Sequence, residues 1–153
     1  MNNQQPYEIA QQEINNLDLG GVVDRMRFVH NWTKKSAELA ETQYKNYLLL
    51  CKKYMGTHPL PPSREIDEFW HNHVLCTRRY TSDCQKIFGH YLHHDPHHGD
   101  RGSISHEELL DSYKNGTEKL YLQEFKTPLH RVEPNPLMKF LIKIKWMIRR
   151  PYR

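Results

Sequence analysis

The sequence predicts an all-α fold: a single-domain helical bundle with a His-rich loop, followed by a basic amphipathic C-terminal helix. Three observations predict it. Apolar residues recur at three- and four-residue steps through most of the chain, as one face of a helix requires. No stretch longer than four residues alternates as a half-buried strand would. There is no internal repeat or low-complexity tract to indicate a solenoid or a disordered chain. The 153 residues fit one domain, which at this size buries roughly two-thirds of the surface its unfolded form exposes. We divide the chain into a helical domain, residues 1–130, and a C-terminal segment, residues 131–153.

The elements follow in order. Tyr7, Ala10, Ile14 and Leu17 mark a short first helix, and Gly20-Gly21 separates it from the next. Val22, Met26, Val29, Thr33, Ala37, Ala40, Tyr44, Tyr47, Cys51 and Tyr54 form one continuous stripe, which predicts a long helix over 22–55. Gly56, Pro59, Pro61 and Pro62 end it and force an extended link. Ser63 suits an N-cap, with Glu65 and Asp67 in the first turn where the helix dipole favours negative charge. The helix so opened is expected to run from Arg64 to Phe88. Gly89 and the run HHDPHHGDRG then make a loop. Ser105 and Glu108 have the spacing of a capping box, and Leu109, Tyr113, Leu120, Tyr121 and Phe125 continue a last helix that Gly116 is expected to kink.

Cysteine usage and the ends of the chain bear on location. Cys51, Cys76 and Cys84 are an odd number without a framework of spacings, and no apolar stretch approaches the roughly 20 residues of a membrane span. The polar start, MNNQQPYEIAQQEINN, has no signal-peptide apolar region. A reducing, cytoplasmic setting is therefore the expectation. Formal net charge is +4, and six of the 22 Lys and Arg lie in residues 137–153, which hold no acid. Basic character is thus a property of the tail, and the rest of the chain is slightly acidic.

Seven of the eleven histidines and two of the three cysteines lie between His71 and His98, so any chemistry is expected there. Helix geometry limits the metal reading. At about 100° per residue, His71 and His73 point to nearly opposite sides, unlike the paired histidines of HExxH. His73, Cys76, Tyr80 and Cys84 share one face of a continuous helix, while Asp67 and His71 form an i, i+4 pair on the other. Asp67 is therefore expected to accept the His71 ring N–H and orient it, as carboxylates do behind ligating histidines. His93, His94, His97 and His98 lie in or beside the loop, which is long enough to return over either face. Two helix residues with one or two loop histidines would suit zinc, copper or iron, zinc first.

Structural readings stand beside this one. Phe69, Trp70, Leu75, Tyr80, Phe88 and Leu92 are expected in the core, and a histidine among them equally suits a buried hydrogen-bonding group. His97, His98 and Asp100 read as a solvated loop, and Cys51 and Cys76 as small apolar stripe residues. No serine, cysteine or lysine sits in a nucleophile motif, and no glycine-rich phosphate loop is present, so hydrolase and nucleotide-dependent chemistry have no support.

The run Asp67-x-x-Trp70-His71-x-His73-x-Leu75, followed by Tyr80, Asp83-Cys84, Phe88-Gly89 and Leu92-His93-His94, resembles the glycine-rich domain-containing protein-like family of plants, fungi and bacteria. The resemblance extends upstream through Leu60-x-Pro62-Ser63 and downstream through Thr117, Tyr121 and Phe125, covering residues 20–127. It implies a largely uncharacterised domain. Long plant members linked to stress and development carry added RNA-binding or glycine-rich segments; this chain has seven glycines and no such segment, so the RNA role does not carry over. Plant members tend to have glutamine where this chain has Val74. The histidines that match are His71, His73 and His94.

In the tail, Leu137, Phe140, Leu141, Ile144 and Ile148 share one helical face, with Lys139, Lys143, Lys145, Arg149 and Arg150 elsewhere. Ile142, Trp146 and Met147 widen the apolar face beyond what one domain contact requires. Such a helix suits an anionic membrane surface, including the inner face of a membrane, or an acidic protein. Nucleic acid is disfavoured, because the domain offers no basic face. Two functions are carried forward. One is a metal-binding domain with His71, His73, His94 and Cys84 as ligands. The other is a non-catalytic interaction module in which the same histidines hold the packing and the tail docks to its partner. No reaction is legible.

Overall fold

A computed structural model of the chain describes residues 5–94 and 105–132. The described elements are all helical: α1 (Tyr7–Asn15), α2 (Gly20–Phe28), α3 (Lys34–Tyr54), α4 (Arg64–Val74), α5 (Thr77–Phe88), α6 (His106–Ser112), a π-helical stretch (Tyr113–Glu118) and α7 (Lys119–Phe125). No strand occurs among the described residues, and no described helix is long and apolar enough to cross a membrane.

The axis of the bundle is α3. Its Ala37, Ala40, Tyr44, Tyr47, Leu48 and Cys51 are all buried, and α1, α2, α4 and α7 pack around it. Small Ala37 and Ala40 let neighbouring helices approach at one end, while the tyrosines fill the other. Ala10 and Ile14 of α1, Val22 and Met26 of α2, Ile66 and Phe69 of α4, and Tyr80, Cys84 and Ile87 of α5 complete the core.

The helix ends follow local chemistry. The Ser63 side chain accepts from the Ile66 N–H at 3.2 Å, and Ser105 and Glu108 form the full capping box. Gly89 closes α5 in the left-handed region at φ 77°, where a side chain would be strained.

Two of the expected helices are broken. The stretch 22–55 divides into α2 and α3 at residues 29–33, so Val29 is exposed and off the stripe. Asn31 takes φ 58° and turns the buried Trp32 inward, and the Thr33 side chain caps α3 by accepting from Ser36 N–H at 3.0 Å. His30, within the break, is tied to α4 through Glu68 at 2.9 Å and Asn72 at 3.3 Å.

The stretch 64–88 divides at Leu75–Cys76, where Cys76 has ψ 55°. Tertiary bonding explains the reversal. A continuous helix would set Trp70 and Tyr80 about 15 Å apart along its axis, at about 1.5 Å per residue. Instead the Trp70 indole N–H donates to the Tyr80 hydroxyl at 2.8 Å. Leu75 and Cys76, expected to be buried, are exposed at the corner.

The last helix is interrupted rather than simply kinked. At Gly116 the π-helical stretch passes so close to the Pro59–Pro62 link that an added Cβ would lie 2.7 Å from the Pro59 carbonyl oxygen. The neighbouring Thr117 hydroxyl donates to Pro61 O at 2.7 Å. This contact, with Tyr54 and Lys53 bonded to Glu124, holds α7 and the π-helical stretch against α3 and the link. The tail helix expected over residues 137–150 and the loop histidines His97 and His98 lie outside the described residues.

Candidate functional site

The aromatic and histidine residues of the His block sort into two clusters on either side of a Trp70–Tyr80 bond. The Tyr80 hydroxyl, having accepted from Trp70, donates to the Leu92 carbonyl, so one phenol ties α4, α5 and the segment after Gly89 together. Burial drives the Tyr80 phenol's pKa well up, which keeps its proton on the donating oxygen.

The inner cluster centres on His73, which is 1% exposed. Its Nδ1 lies 3.0 Å from the Tyr44 hydroxyl and its Nε2 lies 3.2 Å from Asp83 Oδ2. A neutral imidazole satisfies both: Nε2–H donates to the carboxylate, and Nδ1 accepts from the phenol. Burial pulls the His73 pKa down, with Asp83 opposing and Arg79 reinforcing, while burial raises Tyr44 so that it remains a donor. Both ring nitrogens are thus engaged in joining α3, α4 and α5. Cys84 is also buried, and burial raises its thiol pKa, partly offset by bonding to the Leu92 backbone and Tyr80. A protonated, enclosed thiol is neither a ready nucleophile nor a ready ligand.

The outer cluster centres on His94. Its Nε2 lies 3.0 Å from Asp67 Oδ1, with the His94 side chain 5% exposed and the Asp67 side chain 44% exposed. The ring meets the Trp70 indole edge-on at 4.4 Å between centroids, and the exposed His71 ring lies 5.9 Å away. Asp67 does serve as a carboxylate behind a histidine, but the histidine is His94, brought in from the segment after Gly89, and not its helical neighbour His71. Long-range packing outweighs the i, i+4 spacing, because that pair on an exposed helix face is worth only about 0.2–0.5 kcal/mol.

Beside this pair opens a cleft of about 250 Å³. Tyr47 and Trp70, their rings 5.6 Å apart, line it together with Met55 and the Pro59–Pro62 link. Asp67, His58, His93 and His94 bring polar groups to it, and α6 contributes Leu109 and Ser112. The π-helical stretch packs on the link through Gly116 and Thr117. Apolar walls with a few convergent polar groups are the usual anatomy of a small-molecule site.

The four expected metal ligands therefore divide. His73 and Cys84 belong to the inner cluster, His71 and His94 to the outer one. Among the described residues no group of three or more His, Cys, Asp or Glu side chains is placed to hold a metal ion. Sequence reasoning missed Tyr44 and Asp83 as the partners of His73, and it missed the proline link as a cleft wall. A tyrosine on a core stripe carries no mark of its long-range bond, and prolines announce a chain path without saying what it encloses.

Residues 19–110 match the family model described as UCP032817-like, a span that takes in both clusters and most of the cleft. No curated protein and no solved structure matches the chain.

Proposed function

The chain belongs to the UCP032817-like family, and we propose that its domain is a non-catalytic binding module for a small molecule, held in the cleft beside the Asp67–His94 pair. The observation that carries this is the meeting, in one concave site, of aromatic and proline walls with a partly exposed carboxylate already bonded to a buried histidine. The other histidine cluster has no such opening, since His73 and Cys84 are enclosed and His73 is doubly bonded. A fragment screen read by NMR tests the proposal. Hits should shift the Trp70 indole N–H and the Met55 methyl; hits that cluster elsewhere on the domain would refute it.

A transition metal is the second reading, favoured by the approach of His71 to His94 beside Asp67. Zinc, copper and iron all accept imidazole and carboxylate ligands. Elemental analysis of untagged protein prepared without added metal tests it. One equivalent that disappears in His94→Ala but survives His73→Gln would support the outer cluster as its site; substoichiometric metal in the parent chain would sink it.

We also propose the finer kinship with glycine-rich domain-containing protein-like proteins. Its support is that Trp70, His73, Tyr80, Asp83, Leu92 and His94, which carry the resemblance, are also residues that bond or stack across the fold. The shared pattern then marks a way of packing helices, with the cleft as its by-product.

A further inference from the structure

We propose that the ligand of the cleft is an organic monocation with an apolar body, such as an aralkylamine; this deepens the small-molecule reading and rests on it. Of the described side chains that line the cleft, Asp67 is the single one from among Asp, Glu, Lys and Arg, with His58, His93 and His94 beside it. Its carboxylate is 44% exposed in a cavity otherwise lined by aromatic, aliphatic, histidine and serine side chains, with one oxygen taking the His94 N–H. An anionic ligand would meet this carboxylate with no lysine or arginine among the described lining residues to offset it. A neutral apolar ligand would bury the carboxylate's open side without a partner, which costs free energy.

A cation removes that penalty and gains a second contact. Tyr47 and Trp70, 5.6 Å between centroids and 2% and 6% exposed, line the same cleft as the carboxylate, and an ammonium within about 6 Å of such a ring is attracted by its quadrupole. Volume sets the scale of the ligand. At about 250 Å³, the cleft lies just below the usual range of about 300–1,000 Å³ for drug-sized ligands, which suits a single ring with a short chain and excludes a nucleotide or a peptide. The apolar walls of Leu60, Pro61 and Met55 have nothing to offer a bare metal ion but suit a hydrocarbon body.

Three probes of matched shape test this on the full chain: 2-phenylethylammonium, 2-phenylethanol and phenylacetate, each titrated while the Trp70 indole N–H and Met55 methyl signals are followed. The ammonium should bind saturably at those signals, about tenfold tighter than the alcohol, the order expected when a charge contact and a cation–π contact are lost together. Phenylacetate should leave both signals unmoved. Asp67→Asn, which keeps the acceptor for His94, should bring the ammonium down to the alcohol's affinity while the signals of the Tyr44–His73 cluster stay in place. If the alcohol or phenylacetate binds as tightly as the ammonium, or if Asp67→Asn leaves the preference intact, the cation inference falls and the cleft reading stands. If none of the three moves Trp70 and Met55, both fall.

Discussion

Replacing Tyr80 by Phe deletes a single oxygen and tests the bonding that joins α4, α5 and the segment after Gly89. The ring still fills its site, since Tyr80 is 1% exposed and packs edge-on against His73 at 5.0 Å. What is lost is the acceptor for the Trp70 indole N–H and the donor to the Leu92 carbonyl, on residues that are 6% and 3% exposed. A buried polar group left without a partner costs about 1–3 kcal/mol. Two such groups would sum to about 2–6 kcal/mol, but they are not equally trapped. Leu92 lies between exposed Tyr91 and His93 and also has the Cys84 thiol within bonding reach, so its carbonyl finds partial relief. We expect a loss of about 2–4 kcal/mol in urea denaturation, a large part of the total stability of about 5–15 kcal/mol typical of a domain. Backbone amides of residues 90–94 should exchange faster, because the tie at Leu92 opens while Asp67–His94 remains. Tyr47→Phe is the internal standard: its hydroxyl donates to Leu60 O, at 2.7 Å, and its other partner is only the weakly bonding Cys51 thiol, so its removal should cost about 1 kcal/mol. A Tyr80→Phe loss below about 0.5 kcal/mol, with exchange at 90–94 unchanged, would refute the reasoning, because surface substitutions alone reach that size.

Gly116→Ala should destabilise by about 1–3 kcal/mol, the cost of overpacking, since its Cβ would fall 2.7 Å from the Pro59 carbonyl oxygen and neither backbone yields easily; a neutral result in thermal unfolding would mean that the π-helical stretch is not held against the link. His73 is buried with a lowered pKa, so acid favours the unfolded chain: its contribution is fully present above the unfolded value of about 6.5 and is lost as pH falls through the folded value. His73→Gln supplies an amide that can still accept from Tyr44 and donate to Asp83 but does not titrate, and should therefore flatten the stability profile below about pH 6.5; an acid limb identical to the parent's would show that His73 is not what loses stability there. For the tail, the whole chain should sediment with anionic vesicles at low salt more than a chain ending at Pro136, since each basic residue near such a membrane is worth about 1 kcal/mol; equal sedimentation would remove the membrane-docking proposal.

By itself the sequence determined which faces of the helices are apolar and where several of them start and stop. The stripe through Ala37, Tyr44, Tyr47 and Cys51 is the core face of α3, and Ser63, Ser105 and Gly89 end or begin helices where their chemistry predicts. Such signals are local, carried by a side chain and the backbone within four residues of it. Tertiary structure alone decided the reversals at 29–33 and 75–76. Periodicity reports the phase of a face and not the continuity of the axis, and Leu75-Cys76 contains no glycine or proline to mark the corner. The break there is held by bonds between residues ten apart, Trp70 to Tyr80 and His73 to Asp83, and these form only after the chain has turned back. The same holds for the site. His71, His73, His94, Cys84 and Asp67 were visible as residues able to bond, but which bonds to which depends on the free energy of whole interfaces. Burying His73 between Tyr44 and Asp83, and setting His94 between Asp67 and Trp70, gives both ring nitrogens of His73 and the Nε2 of His94 a partner, and no spacing along the chain encodes that outcome.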